Sequence, residues 1–140
     1  MQFDELWKQI DETCGIAELQ RFLAAGGNVD QRHPKSGWTL LHAASEVQNI
    51  ELIQALIAAG ANLNCKNHQG WTPLHLAVDA DIDSVIQSGS DSREITFSVT
   101  RVLLSHGADV TIQDTNGQTP RDVAATYGAD LARSLDSLSP

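Results

Sequence analysis

Apolar residues recur at helical spacing along the chain: Ile16, Leu19, Phe22 and Leu23, then Ile50, Ile53, Leu56 and Ile57. Offsets of three and four put such residues on one face of a helix, with the polar residues between them turned outward. A longer stripe, Leu74, Ala77, Val78, Ile82, Val85 and Ile86, predicts an extended helix that Ser88-Gly89-Ser90 should stop. Asp91 and Glu94 have capping-box spacing ahead of Ile95, Val99, Val102 and Leu103, which predicts the next helix from near Ser92.

The pattern repeats. Gly37-Trp38-Thr39-Leu40-Leu41-His42-Ala43-Ala44 returns 33 residues later as Gly70-Trp71-Thr72-Pro73-Leu74-His75-Leu76-Ala77. A third copy, Gly117-Gln118-Thr119-Pro120-Arg121-Asp122-Val123-Ala124, follows 47 residues on, so 14 residues are inserted. A second signature alternates with the first: Ala24-Ala25-Gly26-Gly27-Asn28, Ala58-Ala59-Gly60-Ala61-Asn62 and Ser105-His106-Gly107-Ala108-Asp109. Thr39, Thr72 and Thr119 stand where a hydroxyl can accept from a first-turn amide, and Pro73 and Pro120 follow at the first helical position. Gly26, Gly60 and Gly107 fall just past apolar runs, the place for a left-handed helix end.

These motifs resemble the ankyrin repeat family, whose period is about 33 residues and whose signature is Thr-Pro-Leu-His. The resemblance spans nearly the whole chain. It implies an all-α solenoid of stacked antiparallel helix pairs with projecting hairpin-like loops, in one domain over residues 1–140. The expected units are about 3–33, 34–66, 67–113 with the insertion near 81–94, and 114–136. Terminal units of a solenoid need altered outer faces; Arg121 and Asp122 in place of Leu and His, and a first unit without the Thr-Pro-Leu-His element, are read as closing caps. The family also implies that His42 and His75 tie neighbouring loops together through hydrogen bonds.

Composition narrows the function. Aromatics are 5% of the chain and hydrophobics 41%, so the core must be thin layers of Ala, Leu, Ile and Val. The net charge of −9 disfavours nucleic acid and anionic membranes and favours a basic or mixed-charge partner. The longest apolar run, Ala55–Ala59, is far too short to span a bilayer. With two cysteines and no visible secretory signal, the expectation is a cytoplasmic protein, monomeric when free. Cys14 reads as a small, semi-buried hydrophobe.

Candidate chemistry is sparse. No phosphate-binding loop, zinc-protease helix or nucleophile elbow occurs. Cys65 and His68, with His33 on a neighbouring loop, fall short of the four ligands of a structural zinc site. Asp79, Asp81 and Asp83 alternate as in a calcium loop, but without its glycine and distal Glu. No enzyme, metal or cofactor is expected. The segment around the insertion carries Asp79, Asp81, Asp83, Asp91 and Glu94 against Arg93; it reads either as a tolerated surface loop or as a functional extension.

For a binding surface, the resemblance implies that the residue after each turn glycine faces the concave side: Trp38, Trp71 and Gln118. Tyr127 maps to the same face. The same pattern adds Lys35, Ser36, His68, Gln69, Thr115 and Asn116 at loop tips, and Glu46, Val47, Asp79, Ala80, Thr126 and Tyr127 at helix ends, with Asp81 and Asp83 beside them. Tryptophan is a prominent interface anchor; the alternative is that both rings pack on neighbouring loops. The function implied is non-enzymatic protein binding. A narrower alternative comes from size and acidity, which resemble those of bacterial ankyrin-type immunity proteins that neutralise a toxin or enzyme.

Overall fold

The computed structural model describes residues 2–11 and 15–138, with the backbone alone at Ser92; Cys14 lies outside the described residues. Among the described residues eight α-helices follow one another: α1 (Phe3–Gln9), α2 (Ile16–Ala24), α3 (Leu40–Glu46), α4 (Ile50–Ala58), α5 (Pro73–Gln87), α6 (Ser98–Ser105), α7 (Pro120–Tyr127) and α8 (Ala129–Asp136). A 3-10 turn at Ser92–Glu94 precedes α6. Among the described residues there is no strand, and no helix is long and apolar enough to cross a membrane.

The helices form four antiparallel pairs. α3, α5 and α7 stack side by side, and α2, α4 and α6 do likewise behind them. The second helices α2, α4 and α6 are each ended by the backbone geometry that a glycine permits. At Gly60 φ is +92°, and Ala61 N–H reaches back to Leu56 C=O at 3.0 Å; Gly26 and Gly107 occupy the same place after α2 and α6. Leu19, Phe22, Leu40, Leu41, Leu52, Ile53, Leu56, Leu74 and Leu103 are buried in one continuous cluster through the first three pairs. A second cluster lies at the other end: Val78, Ile82, Phe97, Val123, Ala124, Leu131, Ala132 and Leu135.

The insertion belongs to that second cluster. As expected, α5 is lengthened, to fifteen residues, and stops at Ser88-Gly89-Ser90. The expectation of a helix from Ser92 is corrected: α6 begins at Ser98. Asp91 caps only the intervening 3-10 turn, its Oδ1 accepting Arg93 N–H at 2.9 Å. What delays the helix is Phe97, which takes a left-handed φ of +52° and is buried. Carrying a buried ring through a conformation that a non-glycine residue rarely adopts places it in the second cluster before α6 starts.

Candidate functional site

Three helices of the front layer start on a threonine. Thr39 and Thr72 are extended, and each Oγ1 accepts the N–H of the histidine three residues on. The imidazole returns the bond: His42 Nδ1 accepts Thr39 N–H at 3.1 Å, and His75 Nδ1 accepts Thr72 N–H at 3.1 Å. With Nδ1 accepting, the ring proton sits on Nε2. His42 Nε2–H donates to Trp71 C=O at 2.8 Å and His75 Nε2–H to Gln118 C=O at 2.9 Å, so each ring bolts its own helix to the loop of the next pair. Burial pushes His42 down to about 4 and lowers His75, which keeps both neutral. At α7 an aspartate substitutes: Asp122 Oδ2 accepts Thr119 N–H at 2.9 Å, but no second ring nitrogen reaches onward.

The hairpins are joined to one another by backbone bonds, His68 N–H to Ser36 C=O at 3.0 Å and Thr115 N–H to Gln69 C=O at 3.1 Å. The spacing leaves no room for a side chain at Gly70: φ is +77°, and a Cβ there would lie 2.8 Å from the Thr115 amide nitrogen. Asn67 and Asp114 occupy equivalent positions, each turning an oxygen onto two amides of its own loop. Burial alone would raise the Asp114 carboxyl; bonds from the Gln118 and Asn116 amides and the Trp71 indole outweigh it and hold it below the usual range. Lys35, His68, Gln69, Thr115 and Asn116 are exposed at the tips, with Ser36 and Gln118 half-buried.

Both tryptophans are half-buried and fixed in place. Trp71 stacks on His75, ring centroids 5.7 Å apart, and its indole N–H donates to Asp114 Oδ2 at 2.8 Å. Trp38 stacks on His42 and meets Trp7 edge-on; Trp7 in turn lies 4.8 Å from the His33 ring. Trp71 therefore packs within its own pair and against the next loop, Trp38 packs between its own pair and α1 of the preceding pair, and the remainder of each ring faces solvent. Trp7, His33 and Asp114 were not among the expected site residues. Asp114 could have been found by aligning it with Asn67, one motif earlier.

Glu46 at the end of α3, Tyr127 at the end of α7, and Asp79 and Asp83 come together; the expected helix-end place of Asp79 and Ala80 is corrected, because the lengthening of α5 leaves both in mid-helix. Tyr127 O–H donates to Asp79 Oδ1 at 2.7 Å. Partial burial, then the negative charges of Asp79 and Asp83, raise the Glu46 carboxyl. Burial and the Asp79 bond raise the Tyr127 phenol further. Val47 is half-buried and Thr126 exposed beside them. Two expected members are withdrawn from the surface. Ala80 is buried, and so is Asp81, at 4% exposure. Its carboxylate accepts Thr100 N–H and Thr100 Oγ1–H, each at 2.8 Å, Gln48 Nε2–H at 3.0 Å and Val99 N–H at 3.4 Å. Asp81 is the cap of α6, supplied from α5. Among the described residues, no group of three or more His, Cys, Asp and Glu side chains is arranged to hold a metal ion.

Comparison with known proteins fits this geometry. The family described as "Ankyrin repeats (3 copies)" matches residues 14–88, and "Ankyrin repeat" matches residues 69–115. The chain is 30% identical to the E3 ubiquitin-protein ligase KEG of Arabidopsis thaliana over 91% of its own length and 7% of that protein. It is 31% identical to protein phosphatase 1 regulatory subunit 12A of Mus musculus, over 86% of itself and 10% of the subunit. To the neurogenic locus Notch protein of Drosophila melanogaster it is 40% identical over 55% of itself and 3% of the relative. The chain thus spans a tenth or less of the length of these relatives. With the Thr-x-x-His starts, stacked pairs and bonded hairpins all present, the chain belongs to the ankyrin repeat family.

Proposed function

We propose that the chain is a non-enzymatic protein-binding module whose partner lies across Trp38, Trp71, the acidic face of Glu46, Asp79 and Asp83, and the neighbouring hairpin tips. The observation that carries this reading is the setting of Trp71. Its ring is locked by His75 and Asp114, so little side-chain entropy remains to be lost on binding, yet part of it faces solvent. At the end of α3 and along the middle of α5 stand Glu46, Asp79 and Asp83, none of which forms an ion pair within 4.0 Å among the described residues. A partner with apolar and basic side chains suits such a face, and charge steering should speed its association at low salt. The proposed module is monomeric when free. A reducing, cytoplasmic setting suits it, since Cys65 is a free, buried thiol that burial keeps protonated.

The test is capture of a partner from native lysate by the wild-type chain, repeated with Trp38→Ala plus Trp71→Ala at matched helix content. Loss of the captured protein supports the reading; undiminished capture removes it. A narrower form, an inhibitor or immunity protein for a harmful enzyme, draws support from the net charge of −9. Co-expression with the product of an adjacent reading frame, scored by rescue of growth, tests that form separately.

A further inference from the structure

The charge of this acidic chain is segregated. Eighteen Asp and Glu are spread along the sequence, yet residues 31–45 and 52–78 contain none. Those stretches include the first two hairpins, which carry Arg32, Lys35 and Lys66 together with His33 and His68. The fold brings these groups to one edge. Arg32 Nη1–H donates to the Lys66 carbonyl across the two loops. His68 Nδ1–H donates to Lys35 C=O at 3.1 Å, and Lys35 N–H to His33 Nδ1 at 3.3 Å. Arg32, Lys35, Lys66 and His68 are exposed, and neither lysine nor Arg32 forms an ion pair among the described residues. The nearby carboxylates are engaged elsewhere: Asp30 Oδ1 accepts Asn62 N–H at 2.8 Å, and Asp114 is buried on the third hairpin.

We propose that this edge binds an acidic segment of a protein partner, so that the partner presents carboxylates to the hairpins while its basic and apolar side chains meet the acidic face of Glu46, Asp79 and Asp83. The backbone bonds between the hairpins hold the cations on a fixed frame, which favours several carboxylates spaced along a short peptide. Scale decides between a peptide and a nucleic acid. Screening confines the patch's attraction to about 8 Å in physiological salt, a distance that a few carboxylates fit within. A long polyanion would also meet the field of a molecule carrying −9. The proposal rests on reading the chain as a protein-binding array, but its test touches neither tryptophan nor the acidic face, so the two can fail separately.

The probe is a fluorescein-labelled oligoglutamate peptide titrated with the full chain, read by anisotropy. Saturable binding is expected, weakening about tenfold between about 50 and 300 mM salt. Lys35→Glu plus Lys66→Glu should weaken it about tenfold further. The charge-matched pair Arg21→Glu plus Arg133→Glu, on α2 and α8, should leave it within about twofold. Amide shifts of the unaltered chain, mapped with the same peptide, should cluster in residues 31–39 and 64–72, a readout that needs no variant to fold. The proposal is overturned by absence of saturable binding at low salt, by equal weakening in the control pair, by shifts centred elsewhere, or by equal or tighter binding of an oligothymidylate of the same length.

Discussion

Between α3 and α4 the chain spends three residues, Val47 to Asn49, and Asn49 caps α4 itself, its Oδ1 accepting Leu52 N–H at 3.0 Å. Between α5 and α6 it spends ten, Ser88 to Phe97, and Phe97 has no side chain able to cap. The orphan amides of α6 go instead to Asp81, on the lengthened part of α5. A helix start must satisfy its first amides whatever precedes it. Where the turn is short the cap is local; where the insertion displaces it, a buried carboxylate is recruited from another helix. The same lengthening also shapes the proposed binding face. Eight more residues than α3 carry α5 about 12 Å further, which brings Asp83 close enough to Glu46 to raise its carboxyl. The structural brace and the acidic face are thus products of one insertion.

The sharpest way to break this comparison is to empty the core on either side. Ile82, in the extension, and Ile53, in α4, are both fully buried. Ile82→Ala should cost about 2–5 kcal/mol, as Ile53→Ala should, measured by denaturant unfolding. A cost under about 1 kcal/mol at Ile82 would make the extension a surface loop after all.

Acid provides a control common to both joints. His42 and His75 start α3 and α5, ahead of the two turns, and burial holds both below the unfolded value. A depressed histidine contributes nothing adverse above the unfolded pKa; stability is lost as pH falls from about 6.5, because only the unfolded chain takes up the proton, and levels off below the folded value. For His42, whose value falls from 6.5 to about 4, that loss is about 3 kcal/mol, with His75 acting in the same direction. Unfolding series of the wild type at pH 7, 5 and 4 should show it.

The caps themselves should differ by a smaller margin. Asp81→Ala leaves two amides and a threonine hydroxyl in the interior without their acceptor and should cost about 2 kcal/mol. Asn49→Ala, at a local cap, should cost about 1 kcal/mol. Equal costs would mean that the recruited cap holds no more than an ordinary one.

The comparison also shows what the sequence made legible. The motif threonines, the glycine helix ends and the length of α5 follow from residues three or four apart, or one repeat apart, and could be read directly; the histidine ties were implied by the family resemblance. The start of α6 could not. Asp91 and Glu94 have the spacing of a cap, and the true cap lies on α5, a relation that no local window contains. One signal was present: Asp81 is seven residues after Leu74, on the apolar stripe of α5, where a carboxylate must be buried and must find donors. The tryptophan positions were also legible, but the packing of Trp38 against Trp7 was not, because the first pair lacks the repeat motif that would have put Trp7 in register.

The account stands most directly on the acidic face that the extension completes. Glu46→Lys plus Asp83→Lys reverses its charge without touching the tryptophans, the buried cap or the hairpins. The captured partner, titrated into wild type and into this variant at matched melting temperature, should bind the variant about tenfold more weakly or worse, with the difference shrinking as salt is raised. Equal affinity at low salt would contradict the assignment of this face to the partner.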